Sequence, residues 1–120
     1  MLPSYMLSQV YVQKSLKNTT DGFEFKLKNI IDTGTLGGVV SLAVDGASLP
    51  LASMTVRVGA IQRKAEEITY RNSLLVMMGA EVTVSVKGQP LAPGRHEFKL
   101  AVSILEAGRT EFTLADDVAE

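Results

Sequence analysis

Strict alternation of apolar and polar residues over short runs is the feature that most narrows what this chain can fold into. Phe23-Glu24-Phe25-Lys26-Leu27-Lys28 is one such run, and Glu81-Val82-Thr83-Val84-Ser85-Val86-Lys87 and His96-Glu97-Phe98-Lys99-Leu100-Ala101-Val102 are others. Side chains on a strand point alternately to its two faces, so a period of two marks segments with one face buried and the other wet. Antiparallel sheets present that pattern. Asn18 to Gly22, Asp45-Gly46, Gly88 to Gly94 and Ala107-Gly108 punctuate the runs with residues that suit tight turns.

Along the chain the same reasoning gives strands from Gln9 through Leu16, from Phe23 to Ile30, and from Val39 through Val44. Others follow over Met54 to Val58, Val82 to Val86, His96 to Ile104 and Phe112 to Leu114. Gly37-Gly38 suggests a bulge or a close backbone approach, and Leu49-Pro50-Leu51 an edge or a connection. Leu74 to Met78 is a continuous apolar run that periodicity does not assign by itself. Residues 61 to 73 are the least patterned, with Ala65-Glu66-Glu67-Ile68 suited to a single helical turn. Asp116, Asp117 and Glu120 read as a frayed acidic tail. The expected fold is therefore all-β. It is one antiparallel β-sandwich domain over residues 1–120, with about eight or nine strands and at most one short helical turn. A chain of 120 residues buries enough surface to hold itself together without disulfides.

The side chains that chemistry usually needs are scarce. There is no cysteine, no tryptophan and a single histidine. That excludes thiolate metal sites and cysteine nucleophiles and suits a reducing compartment. Twelve basic and thirteen acidic residues leave a net charge of −1, a poor basis for phosphate neutralisation, so no nucleic acid is expected. The first seven residues lack a charged segment followed by a long apolar one, and no apolar run reaches membrane-spanning length. The expectation is a cytoplasmic chain without membrane contact. His96 lies on the apolar face of its run, which favours a hydrogen-bonded histidine at the rim of the core over a general base or metal ligand. Glu66-Glu67 and Asp116-Asp117 read as solvated charge, Gly-X-Ser-X-Gly does not occur, and no helix follows the glycines at 34, 37 and 38 to receive a phosphate. No catalytic, cofactor-binding or metal-binding residue is assigned. Leu74, Leu75, Met77 and Met78 are read first as core. They are also the candidate interface, because methionine adapts to irregular surfaces and large exposed apolar patches mark partner sites.

Five stretches resemble, in order and spacing over most of residues 9 to 105, the small β-subunit family of C-glycoside deglycosidases. They are Gly22-Phe23-Glu24-Phe25-Lys26, Val44-Asp45-Gly46 with Pro50 downstream, Val56-Arg57-Val58-Gly59, Gly79-Ala80-Glu81-Val82-Thr83-Val84, and Leu91-Ala92-Pro93-Gly94-Arg95-His96. The resemblance implies a β-sandwich without catalytic residues of its own. It would cap or stabilise a larger TIM-barrel α-subunit that carries a divalent metal and cleaves the carbon–carbon bond between sugar and aglycone. Asp32-Thr33-Gly34-Thr35 and Met77-Met78 depart from the family, whose fuller members carry aromatic or proline-rich sequence at such places. The alternative is a stand-alone β-sandwich module that self-associates or binds a ligand.

Overall fold

A computed structural model describes residues 9–118. Ten strands follow one another: β1 (Lys17–Thr19), β2 (Gly22–Lys28), β3 (Gly34–Val44), β4 (Ala47–Leu49), β5 (Met54–Val58), β6 (Ile61–Lys64), β7 (Leu74–Val76), β8 (Glu81–Lys87), β9 (Gly94–Ile104) and β10 (Gly108–Val118). Two 3₁₀ turns, Leu51–Ser53 and Ala65–Glu67, are the helical segments among the described residues. The second falls where a single helical turn was expected. One sheet has the order β1-β2-β8-β5-β6. The other runs β10-β9-β3, with β4 and β7 both on the far side of β3, and every pairing is antiparallel. The two sheets close on one hydrophobic core, which makes the chain the β-sandwich its alternation requires.

The alternating runs fill that core as their period dictates. Phe23, Phe25 and Leu27 of β2 are buried while Lys28 is exposed, and Phe98, Leu100 and Val102 of β9 are buried opposite them in the other sheet. The Asp45-Gly46 turn has positive φ at both residues, 52° and 86°, the conformation that a two-residue hairpin loop needs between Val44 and Ala47. Gly37-Gly38 does mark an irregularity, since the register of β3 on β9 shifts between Leu36 and Gly38 and again between Val39 and Ser41. A Cβ on Gly37 would come within 2.6 Å of the Leu105 side chain.

Three expectations need correction. The first strand is not continuous from Gln9 through Leu16. Residues 10–12 lie along the far end of β2, with the Lys28 amide on the Val10 carbonyl and the Val12 amide on the Lys26 carbonyl. A turn with Lys14 at φ 65° then interrupts the ladder, and pairing resumes only at Lys17. Second, β3 begins at Gly34, because Gly34–Leu36 finds a partner in β7. Third, Asp116 and Asp117 are not a frayed tail. They sit in β10 opposite His96 and Arg95. The Asp116 carboxylate accepts a 2.6 Å hydrogen bond from the hydroxyl of buried Tyr11. Burial pushes the Tyr11 hydroxyl pKa far up, with the Asp116 carboxylate adding to the shift. Burial also acts to raise Asp116, but hydrogen bonds from Tyr11 and from the backbone at Asp117, Leu16 and Lys14 outweigh it and hold the carboxyl below its usual range.

Candidate functional site

At the end of the sandwich where β3 begins, a cavity of about 300 Å³ lies between the sheets. Its walls come from register pairs with short side chains: Leu27 beside Val82 in one sheet, Val39 beside Val102 and Leu36 beside Ile104 in the other. Met54, Val56 and Val84 complete the sheet wall formed by β5 and β8. Packed sheets stand about 10 Å apart, and aliphatic chains of this size leave part of that gap unfilled where a phenylalanine would span it. The exposed residues Asp32, Thr33, Glu106 and Ala107 border the space, so it opens to solvent between the β2–β3 connection and the β9–β10 hairpin.

The mouth is built by hydrogen bonds that the composition did not reveal. The Asn29 side-chain oxygen accepts from the amides of Ile31 at 3.2 Å and Asp32 at 3.3 Å. Its amino group donates to the carbonyls of Asp32 at 2.7 Å and Val76 at 3.0 Å. One side chain thus ties the β2–β3 loop to itself and to β7. Thr33 Oγ1 accepts from the Met78 amide, and the Asp32 carboxylate from the Thr33 amide. Across the mouth, Glu106 accepts the Thr35 hydroxyl at 2.7 Å and the Thr35 amide at 2.8 Å. Those two donors lower its carboxyl pKa, the hydroxyl foremost. Asn29 was missed because it was read as part of the strand from Phe23 to Ile30, which ends at Lys28, and Glu106 because it lies just past an alternating run. An Asn placed two and three residues before amides it can bind is the local signal that was present.

His96 lies at the opposite end of the same strands. Nδ1 is 2.6 Å from Asp45 Oδ2 and Nε2 is 2.7 Å from the Ala92 carbonyl oxygen, so the ring joins the β3–β4 turn to the 88–94 connection. The Glu97 amide donates to the other Asp45 oxygen. Both ring partners are acceptors, so the geometry is satisfied only when both nitrogens carry protons. The histidine pKa is raised accordingly, first by the Ala92 carbonyl and then by Asp45. Asp45 is lowered, first by the Glu97 amide and then by His96. This arrangement is a clamp between two turns. A nucleophile or substrate would have to displace one of its bonds.

The apolar run at β7 divides by face. Leu74 is 2% exposed and belongs to the core, which corrects its place among the candidate interface residues. Leu75, Met77 and Met78 are 59%, 62% and 61% exposed. Adjacent residues on a strand face opposite ways, which separates Leu74 from Leu75. Val76 lines the cavity and the Met78 amide reaches Thr33 at its mouth, whereas Leu75 faces away from it on the outer side of the sheet.

Among the described residues no group of three or more His, Asp or Glu side chains is placed to hold a metal ion, and no helix is long and apolar enough to cross a membrane. The cavity walls are hydrocarbon, which suits this end of the molecule to holding a ligand. A comparison with curated proteins finds no match. The family model for the hydroxymethylglutaryl-CoA reductase N-terminal domain matches residues 6–119. That match overturns the resemblance to C-glycoside deglycosidase β-subunits. The stretches that suggested it are turn-and-strand segments any sandwich can use, such as the Asp45-Gly46 hairpin and the Pro93-Gly94 entry into β9. The ground for expecting a metal-bearing TIM-barrel partner lapses with it. With nearly all of its length matched, the chain belongs to the hydroxymethylglutaryl-CoA reductase N-terminal domain family.

Proposed function

We propose that this chain is a non-catalytic binding module, an accessory unit of the reductase for which its family is named, and that it holds a small apolar ligand in the cavity between its sheets. The cavity itself carries the reading. Open at its mouth and unfilled, a space of about 300 Å³ leaves its apolar walls unburied, which is unfavourable in proportion to the apolar area. Water is a poor occupant, because the walls offer it no hydrogen bonds and polar groups occur only at the rim. An apolar ligand entering from the mouth removes both difficulties. The volume sits at the lower end of the range for ligand sites, and an apolar interior with a few polar groups at the entrance is their usual make-up. The exposed Leu75, Met77 and Met78, on the segment that follows past the mouth, give the module an apolar surface through which it would meet the rest of its enzyme. The absence of cysteine suits work in the cytoplasm.

The test is a fluorescence titration with a neutral naphthylamine dye, which brightens in apolar surroundings. The expected result is saturable one-to-one binding to the native chain. It should weaken at least tenfold in Val82→Phe, whose added ring occupies the cavity, with the circular dichroism spectrum unchanged. No saturable binding by the native chain, or equal binding by the variant, would overturn the proposal.

A further inference from the structure

The charges at the mouth narrow the ligand further. Among the described residues, Asp32 and Glu106 are the charged residues that line the cavity, and no lysine, arginine or histidine lines it with them. Lys28, the basic residue nearest along β2, is exposed on the face opposite Leu27 and does not line the space. The two carboxylates are fixed in place. Glu106 is gripped by both the hydroxyl and the amide of Thr35, and Asp32 by the Thr33 amide, while Asn29 holds the loop that carries Asp32. The β2–β3 connection and the β9–β10 hairpin thus present negative charge from both sides of one apolar opening. A ligand with its hydrocarbon inside must leave its head group between them. An anionic head would meet two like charges with no counter-ion supplied by the site, whereas a head that donates hydrogen bonds finds carboxylate lone pairs still open.

Resting on the cavity reading, we infer that the ligand is a hydrocarbon of roughly ten to twelve carbons, taking benzene in a cavity half this size as the measure, and that it ends in a hydrogen-bond-donating group that is not anionic. The site selects against carboxylates of the same chain length. It is also unsuited to the phosphate-bearing part of a CoA thioester, so any ligand of this module is distinct from the substrate in the family's name.

Competition against the neutral naphthylamine dye tests this with decylamine, 1-decanol and decanoate, each below its micelle concentration at neutral pH and low salt. The amine and the alcohol should displace the dye at least tenfold more effectively than decanoate, the amine most of all. Asp32→Asn and Glu106→Gln, which keep the side-chain shapes, should each narrow the gap between amine and carboxylate several-fold, read as a ratio against the dye in the same variant. Added salt should narrow it too. If the dye binds but decanoate competes as well as decanol, or if neither variant alters the gap, the head-group inference is wrong and the cavity reading stands. If the dye itself does not bind the native chain, both fall together.

Discussion

The two ends of the sandwich interior are made by the same strands and packed differently. At the end near Asp45 and His96, β2 and β9 contribute Phe23, Phe25 and Phe98, whose rings lie 5.3 Å (Phe25–Phe98) and 6.1 Å (Phe23–Phe98) apart by centroid, with Tyr11 6.5 Å from Phe25. Further toward the other end, the same inward positions are Leu27 on β2 and Val102 and Ile104 on β9. The three-phenylalanine cluster fills the space between the sheets at one end, and at the other, where Phe112 of β10 is joined by aliphatic side chains, the cavity is left. The order in which large and small residues occupy one face, rather than any loop or inserted element, therefore decides where this fold is solid and where it can take up a ligand.

Truncation at the solid end should have the largest effect. Phe98 is 1% exposed and touches both other phenylalanines of the cluster. Phe98→Ala should cost about 3–5 kcal/mol, a large part of the stability of a domain this size. Urea unfolding followed by circular dichroism measures it. A loss below about 1 kcal/mol would mean that this end is packed no better than the cavity end, and the contrast between them would collapse.

Enlarging a side chain should separate the two ends in the opposite sense. Val86 and Val82 lie on the same face of β8, beside Phe23 and Leu27 respectively. Val86→Phe forces a ring into an occupied space and should destabilise by about 1–3 kcal/mol, the usual range for overpacking. Val82→Phe directs the ring into the cavity and should be neutral or stabilising. Paired urea melts of the two variants check this. Equal losses would show that the space near Val82 is not available to a side chain, and so not to a ligand.

How much of this was legible in the sequence follows from what each residue depends on. The alternation Phe23-Glu24-Phe25-Lys26-Leu27 dictates which side chains enter the core, because a strand has no other way to separate them, and Asp45-Gly46 sets its own hairpin. The cavity was not legible. It depends on Leu27 meeting Val82 within one sheet and on Ile104 meeting Leu36 in the other, pairings set by strand order and not by neighbours in sequence. The division of Leu74 from Leu75 needed β7 to be a strand, which a continuous apolar run does not specify. Asp116 was misjudged because its partners, Tyr11 and the Leu16 amide, lie a hundred or more residues away along the chain. Resemblance misled for a related reason. Turn and strand segments record local geometry, which unrelated sandwiches share.

The smallest expected effect is one of pH, confined to the solid end. His96 bonds two acceptors, Asp45 and the Ala92 carbonyl, so its protonated form is the one the fold favours, and its pKa is raised by the carbonyl first and the carboxylate second. A group whose pKa is higher in the folded state contributes its full stabilisation below the unfolded value, about 6.5, and loses it as pH rises through the raised folded value. Asp45 is half exposed, so solvent screens the pair and the contribution is small. Urea midpoints of the native chain should therefore fall as pH rises above about 6.5. His96→Gln, which keeps a donor but cannot gain the charge, should flatten that slope. Dye affinity at the cavity should not follow it, because the histidine and the mouth lie at opposite ends of β3 and β9. A slope that persists in the variant would assign the titration to another group. A dye affinity that tracks the His96 titration would show that the two ends of the sandwich are coupled and not independent.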